Sequence, residues 1–160
     1  MKHPGATWRR WRTDARRISR DERGTALLEA ALTVPLVLLI SIGIFEFGRA
    51  FQTWQVLTNA AREGARVSVL PNPASGAVEA RVRAYLQSGQ LSAYSTATVT
   101  VNRSATLEVG GASVTASQVT VDYPFTFIAL QPVARLVDQS STAGGAITIR
   151  ASAVMRNEAQ

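Results

Sequence analysis

The side chains of this chain that could do chemistry are few and lie far apart. Cysteine is absent, and the one histidine, His3, lies close to the N-terminus. Metal sites need clustered ligands, and a Ser-His-Asp triad needs a histidine beside its nucleophile. There is neither a P-loop nor a GxGxxG motif. After residue 45 the carboxylates come singly, at Glu46, Glu63, Glu79, Glu108, Asp122, Asp138 and Glu158. The sequence therefore predicts no enzyme, no metal site, no cofactor and no small-molecule substrate.

Glu29 is the carboxylate whose position asks for an explanation. It is the one charged residue in residues 25–45, which read TALLEAALTVPLVLLISIGIF. A carboxylate inside a membrane helix is costly unless it is paired or close to the interface. One interpretation is that Glu29 lies a turn inside the membrane surface and reaches water. The other is that it pairs with a charged group of a neighbouring chain.

The apolar run itself predicts a transmembrane helix. At about 1.5 Å per residue it spans about 31 Å, which matches a hydrocarbon core of about 30 Å. The run is apolar on every face, and Pro35 within it is tolerated in membrane helices. It is longer than the apolar part of a cleaved secretory signal, and no small-x-small site follows it directly. We therefore expect an anchor that stays in the membrane.

The charges flanking the run predict its orientation. Before Gly24 there are eight basic and three acidic residues, whereas the rest of the chain is nearly neutral. Such a leader, residues 1–24, could contact nucleic acid or an anionic membrane surface, and the apolar run directly after it favours the membrane. The positive-inside rule then places the leader in the cytoplasm and the C-terminal body outside. We expect a single-pass protein of the cytoplasmic membrane without a nucleic-acid partner.

The helix is predicted to continue beyond the membrane, through residues 46–70. Side chains of one stripe recur with spacings of four and three, at Phe47, Phe51, Trp54, Thr58, Ala61 and Ala65. No strong helix breaker precedes Pro71-Asn72-Pro73. The three aromatic residues of the stripe are candidates for an interfacial aromatic belt.

Residues 71–160 are predicted to form a small α+β head. A short helix is expected at residues 74–87 and strands at 96–102, 106–109, 118–123 and 146–155, with a turn at Gly110-Gly111. Residues 124–137 are apolar but contain Pro132, which fits a loop on the membrane or against partners, or a part of the core. The expected fold is α+β and pilin-like: a long N-terminal transmembrane helix extends into an extracytoplasmic domain with a short helix and an antiparallel sheet.

The segment around Glu29 resembles the processing region of type IV prepilins. It reads Arg23-Gly24-Thr25-Ala26-Leu27-Leu28-Glu29. The resemblance implies a cut between Gly24 and Thr25 and a role for Glu29 in aligning subunits, where it would pair with a neighbour's free α-amine. Ala30 follows Glu29, whereas Flp prepilins usually carry an aromatic residue there, so a cut and an uncut leader both stay open.

Residues 23–66 closely resemble the N-terminal region of TadE-like proteins. Beside Gly24, Glu29 and Pro35, the resemblance rests on Glu46, Phe47, Gly48, Arg49, Asn59, Arg62, Glu63, Gly64 and Arg66. It implies a minor, pseudopilin-like component of a tight-adherence (Flp) pilus or related secretion system. The implied partners are the membrane, other pilin-like subunits, the pilus assembly machinery and, if the leader is cut, a prepilin peptidase. The alternative is an independent signal-anchored surface protein whose head binds a ligand or a cell-envelope partner.

Overall fold

The computed structural model describes residues 14–157, with side chains from residue 22 onward except that of Val137. The first part of the predicted leader, with His3, and Glu158 near the C-terminus lie outside the described residues. The elements are α1 (Asp14–Ser68), α2 (Ala77–Ser88), β1 (Thr98–Val109), β2 (Ala112–Phe125), α3 (Leu130–Val137) and β3 (Ile147–Arg156). The predicted α+β class is confirmed. The chain divides into two units after Gly43, and each is described by itself.

The described part of the first unit is the N-terminal part of α1. This helix begins at Asp14, so it includes the end of the predicted leader, and it contains Pro35. Its large apolar side chains, such as Leu32 and Ile40, are exposed on all sides. Among the described residues, this is the one helix long and apolar enough to cross a membrane, with a mean hydropathy of 2.3 over its most apolar window. A surface so apolar requires lipid or other apolar helices around it.

The second unit is built on a three-stranded antiparallel sheet with the order β1-β2-β3. The two strands expected at 96–102 and 106–109 are one strand, because an irregularity between Asn102 and Ala105 lets the pairing with β2 resume beyond it. The expected turn at Gly110-Gly111 is confirmed. Both glycines have positive φ, 60° and 84°, which suits a two-residue hairpin and which other residues rarely adopt.

The core of the second unit lies between one face of β2 and the two helices α1 and α2. Alternate residues of β2 point to this face because side chains alternate along a strand. The buried side chains are Val119, Val121, Tyr123 and Phe125 from β2, Val78, Val82 and Leu86 from α2, and Leu57, Ala60, Ala61 and Ala65 from α1. Together they fix α2 and the sheet onto the C-terminal part of α1.

The predicted stripe of α1 is divided between an exposed and a buried part. Its last members, Ala61 and Ala65, are buried, but Phe47, Phe51 and Trp54 are exposed. The buried seam passes instead through Glu46, Thr53, Leu57, Ala60, Gly64 and Ser68. Small residues let the helix approach α2 and β2 closely, so the helix turns them toward the core and its bulky aromatic residues away from it.

Residues 124–137 are not a single loop. The first two of them complete β2, and Phe127 packs against the core. The last eight form α3, a helix that was not predicted. Ile128 and Leu136 are exposed. The segment is therefore partly core and partly an exposed apolar surface.

Candidate functional site

Glu46 is a fully buried carboxylate of the second unit, with hydrogen-bond donors from two parts of the chain. Its Oε1 atom accepts hydrogen bonds from the backbone N–H groups of Ile128, at 2.7 Å, and Ala129, at 2.5 Å. Its Oε2 atom accepts a hydrogen bond from Nη1 of Arg49, at 2.7 Å. Both carboxylate oxygens are thus bonded. Burial of a charge is tolerated only when it is paired and hydrogen-bonded in this way.

These hydrogen bonds make Glu46 a cap for α3 supplied from another helix. Ala129 is the N-cap residue of α3 and has no side-chain acceptor of its own. The N–H groups at a helix start lack partners within the helix, and the helix dipole favours negative charge there. Glu46 supplies the negative charge and accepts a hydrogen bond from the N–H group of the N-cap residue, Ala129. It therefore fixes the start of α3 to the C-terminal part of α1.

Arg49 extends this contact to the sheet. Its guanidinium carbon lies 5.2 Å from the centroid of the Phe125 ring, which is in cation–π range. Phe125 in turn contacts Phe127 edge to face, with ring centroids 5.2 Å apart. The Glu46–Arg49 pair joins residues three apart on a helix, where side chains are neighbours. Within the second unit, the segment Glu46-Phe47-Gly48-Arg49 thus connects α1 to the end of β2 and to α3.

The other end of α3 is fixed by Asp138. Its backbone N–H donates to the carbonyl oxygen of Ala134, at 3.0 Å. Its Oδ1 atom accepts from the hydroxyl and the backbone N–H of Ser140, at 2.6 and 2.9 Å. The side-chain hydrogen bond from Ser140, together with the backbone one, lowers the pKa of Asp138 below its ordinary value. Asp138 therefore stays ionised at neutral pH and keeps these bonds.

Gly64 marks a close approach of α1 to α2 and β2. A Cβ atom at this position would lie 2.6 Å from Cγ2 of Val82 and 3.2 Å from Cγ1 of Val119. Gly48 differs, since a Cβ atom there would have nothing within 4 Å. The first glycine is thus explained by packing within the chain. The second lies on a surface that is open in this chain.

The polar residues of the 59–66 segment divide into a bonded and an exposed set. Glu63 accepts from Nη2 and Nε of Arg81 on α2, at 2.7 and 3.1 Å, and lies 3.6 Å from Nη1 of Arg66. Asn59 and Arg62 are exposed, and among the described residues neither forms an ion pair or a side-chain hydrogen bond. The exposed set is available to a partner.

The predicted residues of the first unit lie on the helical surface. Gly24, Thr25 and Glu29 are all part of α1, and all three are exposed. A Cβ atom at Gly24 would have nothing within 4 Å. Cleavage after Gly24 and subunit alignment by Glu29 stay predictions.

Glu46 and Arg49, three residues apart on one helix, form an ion pair of the kind that such a spacing indicates, but sequence reasoning missed the contact of Glu46 with Ile128 and Ala129. These partners are 82 and 83 residues away along the chain. The spacing of the small residues on α1 offered a signal. Residues on one face of a helix recur every three or four positions, and counting back in such steps from Gly64 and Ala60 leads to Glu46. A carboxylate on a buried helix face requires a distant donor.

Comparison with known proteins gives one match. The family model described as TadE-like protein matches residues 24–66. No curated protein and no solved structure shows significant similarity to the chain. The matched segment contains the apolar run, the Glu46–Arg49 pair and Gly64. Over residues 24–66, the chain is therefore similar to the TadE-like family, as its sequence motifs indicated.

Proposed function

We propose that this protein is a minor, pseudopilin-like subunit of a tight-adherence (Flp) pilus or a related secretion system. Residues 25–45 would anchor it in the cytoplasmic membrane, with the leader, residues 1–24, inside. Residues 46–70 would continue the helix outside and carry the head of residues 71–160. The observation that carries the proposal is the TadE-like match over residues 24–66, on a helix whose apolar half is exposed on all sides.

Lateral helix packing is the proposed mode of action. An apolar helix in lipid can pack against other such helices through close van der Waals contact. Glu29, the one charge in the run, would set the register of this packing by pairing with a charged group of a neighbour. In the second unit, the contacts of Glu46 and Gly64 hold α2, the sheet and α3 on α1. A contact made through the outer half of α1 would therefore be transmitted to the head.

A structural role fits the chemistry of the site better than catalysis. TadE-like proteins are generally non-enzymatic. The carboxylate of Glu46, which is fully buried, has both oxygens occupied by donors of the same chain. It therefore has no access to a substrate. Its bonds position α3 instead.

The alternative, a surface protein whose head binds a ligand, has one observation in its favour. A cleft of about 430 Å³ lies in the second unit and is lined by Arg49, Thr53, Tyr123 and residues 89–93. Adjacent genes for a secretion ATPase, a polytopic platform protein and a small Flp-type pilin would support the assembly role. Their absence, with a ligand bound in the cleft, would support the alternative.

The orientation can be tested with a reporter fused after Gln160. We expect a reporter that is active only outside the cytoplasm to give a signal, because the basic residues lie before the apolar run. A reporter that is active only inside should give none. A cytoplasmic signal from the fusion would mean that the proposed orientation is wrong.

The role of Glu29 is tested by the variant Glu29→Gln. We expect normal insertion, since a neutral amide is less costly in the membrane than a charge. Co-purification with other pilin-like subunits should fall at least about tenfold, because loss of one member of a buried ion pair is strongly destabilising. Glu22→Gln, which changes a carboxylate before the proposed cut, is the matched control and should behave like the wild type.

Mass spectrometry of the mature chain completes this experiment. A free α-amine at Thr25 exists only if the chain is cut after Gly24. If the leader is retained and Glu29→Gln still co-purifies with its partners, Glu29 is an interfacial carboxylate and its pairing role is wrong. The pseudopilin mechanism would then be withdrawn in favour of a plain membrane anchor.

A further inference from the structure

Helix α3 and Ile128, which precedes its N-cap, present an apolar surface that the head leaves uncovered. Pro132 and Leu136 lie four residues apart on one side of α3, and together with Ile128 they form what we call the exposed stripe, because all three are exposed. Ile128 is 63% exposed. Leu136 is 86% exposed, compared with 78% for Leu32 in the apolar run. The opposite side of α3 is also apolar, with Leu130, Val133 and Ala134 half-buried.

The hydrogen bonds of Glu46 determine where this stripe lies along α1. Glu46 is the first residue after the apolar run, and it follows the exposed residues Ile44 and Phe45. Because an α-helix rises about 1.5 Å per residue, Glu46 lies within one turn of both. The N–H groups of Ile128 and Ala129 are bonded directly to its carboxylate. The start of α3 is thus held at the level at which the apolar run ends.

We propose that α3 and the residue before its N-cap, Ile128, lie at the membrane interface, where Ile128 and Leu136 insert into the extracytoplasmic leaflet. Arg135, which precedes Leu136, is exposed and among the described residues forms no ion pair. An arginine at the edge of such a stripe can reach the lipid headgroups while its stem lies along apolar surface. The proposal rests on the membrane anchoring proposed above.

A lipid surface is favoured over a second copy or another protein as the occupant of this stripe. The start of α3 is bonded to Glu46, within one turn of the last residues of the apolar run, Ile44 and Phe45, so contact with the lipid around that run would need no further association. Binding of a protein partner would cost translational and rotational freedom, and the contacts of a stripe of three residues would have to offset that cost. Phe47 and Phe51, on the next turns of α1, are exposed, and phenylalanine occurs on the apolar face of helices that lie at the membrane interface.

Spin labelling can test this proposal cleanly because the chain contains no cysteine. The full chain is placed in nanodiscs of phosphatidylcholine with some phosphatidylglycerol, and one label is attached at Leu136→Cys. Two further sites serve as references: Val37→Cys in the apolar run, and Val109→Cys at the β1–β2 hairpin, where the side chain is 52% exposed. Collisions with oxygen, which concentrates in lipid, are compared with collisions with a water-soluble nickel chelate.

We expect the labels at residues 37 and 136 to collide more with oxygen and the label at residue 109 to collide more with nickel. If residue 37 reports lipid but residue 136 reports water, the inference about α3 is wrong while the anchor stands. If residue 37 also reports water, the anchoring itself is wrong, and the inference fails with it. A label at residue 136 that is shielded from both reagents, or broadened by a second label nearby, identifies a protein contact and also overturns the inference. Should Leu136→Cys fail to fold, Ile128→Cys gives the same test.

Discussion

Replacing Glu46 with alanine is expected to release α3 and to lower the free energy of unfolding of the second unit by about 2–4 kcal/mol. The change removes the acceptor for the N–H groups of Ile128 and Ala129 and the partner of Arg49. Loss of one member of a buried pair leaves the other group without compensation. The estimate is below the range for a fully buried pair because the Arg49 side chain is 30% exposed and can reach water.

The variant Glu46→Gln is the informative companion. Its amide oxygen can still accept one or both backbone hydrogen bonds, but it carries no charge for Arg49 or for the start of α3. We expect a smaller loss, about 1–2 kcal/mol, since hydrogen bonds to charged groups are the stronger ones. Glu108→Ala, which removes an exposed carboxylate on β1, is the matched control and should change stability little.

Urea unfolding of the full chain in detergent micelles measures the loss of stability. Hydrogen exchange of residues 126–138 reports the release of α3, since its backbone amides should exchange faster in Glu46→Ala than in the wild type. Wild-type stability together with wild-type exchange in this segment would show that Glu46 does not hold α3. The interpretation of the Glu46–Arg49 pair as a positioning contact would then be wrong.

Replacing Gly64 with alanine is expected to destabilise the second unit by about 1–2 kcal/mol, although alanine is the better helix former. The added methyl group would lie 2.6 Å from Cγ2 of Val82. Val82 is fully buried, and a β-branched side chain in a helix has little rotamer freedom to move aside. Overpacking of this kind costs about 1–3 kcal/mol. The gain in helix propensity, about 1 kcal/mol, offsets only part of it.

Two further variants separate the effect of close packing on stability from the effect of helix propensity. Gly48→Ala makes the same substitution in the same helix at a position with nothing within 4 Å, so it should leave stability unchanged or raise it slightly. In the double variant Gly64→Ala with Val82→Ala, the new methyl group gains room. The combined loss should therefore be smaller than the sum of the two single losses. Equal effects of alanine at residues 64 and 48, or strict additivity in the double variant, would contradict close packing at Gly64.

Several features of the fold could be predicted because they depend on residues close together in the sequence. The length and continuity of the apolar run indicate a membrane helix without reference to any other element. The Glu46–Arg49 pair joins neighbours on one helix. The turn at Gly110-Gly111 depends on the positive φ that glycine adopts. The α+β class follows from the change of period after residue 89.

Other features depended on where the elements meet. The sequence indicates that residues 46–70 are helical, but two of their faces could have formed the seam: one is aromatic, and the other is small and partly polar. The structure buries the second face and leaves Phe47, Phe51 and Trp54 exposed. The close approach of Val82 and Val119 to Gly64 decides between the faces, and no local pattern contains that distance.

The sequence by itself determined the apolar run, the helical continuation beyond it, the hairpin and the resemblance of residues 23–66 to TadE-like proteins. Each of these depends on composition or on spacings of a few residues. Only the tertiary structure decided which side of α1 is buried, why Gly64 is a glycine and what Glu46 binds. Glu46 accepts hydrogen bonds from residues more than eighty positions away in the chain, because the folded sheet brings residues 128 and 129 to the C-terminal part of α1. A contact of that range arises from packing, which the local periodicity of a sequence does not contain.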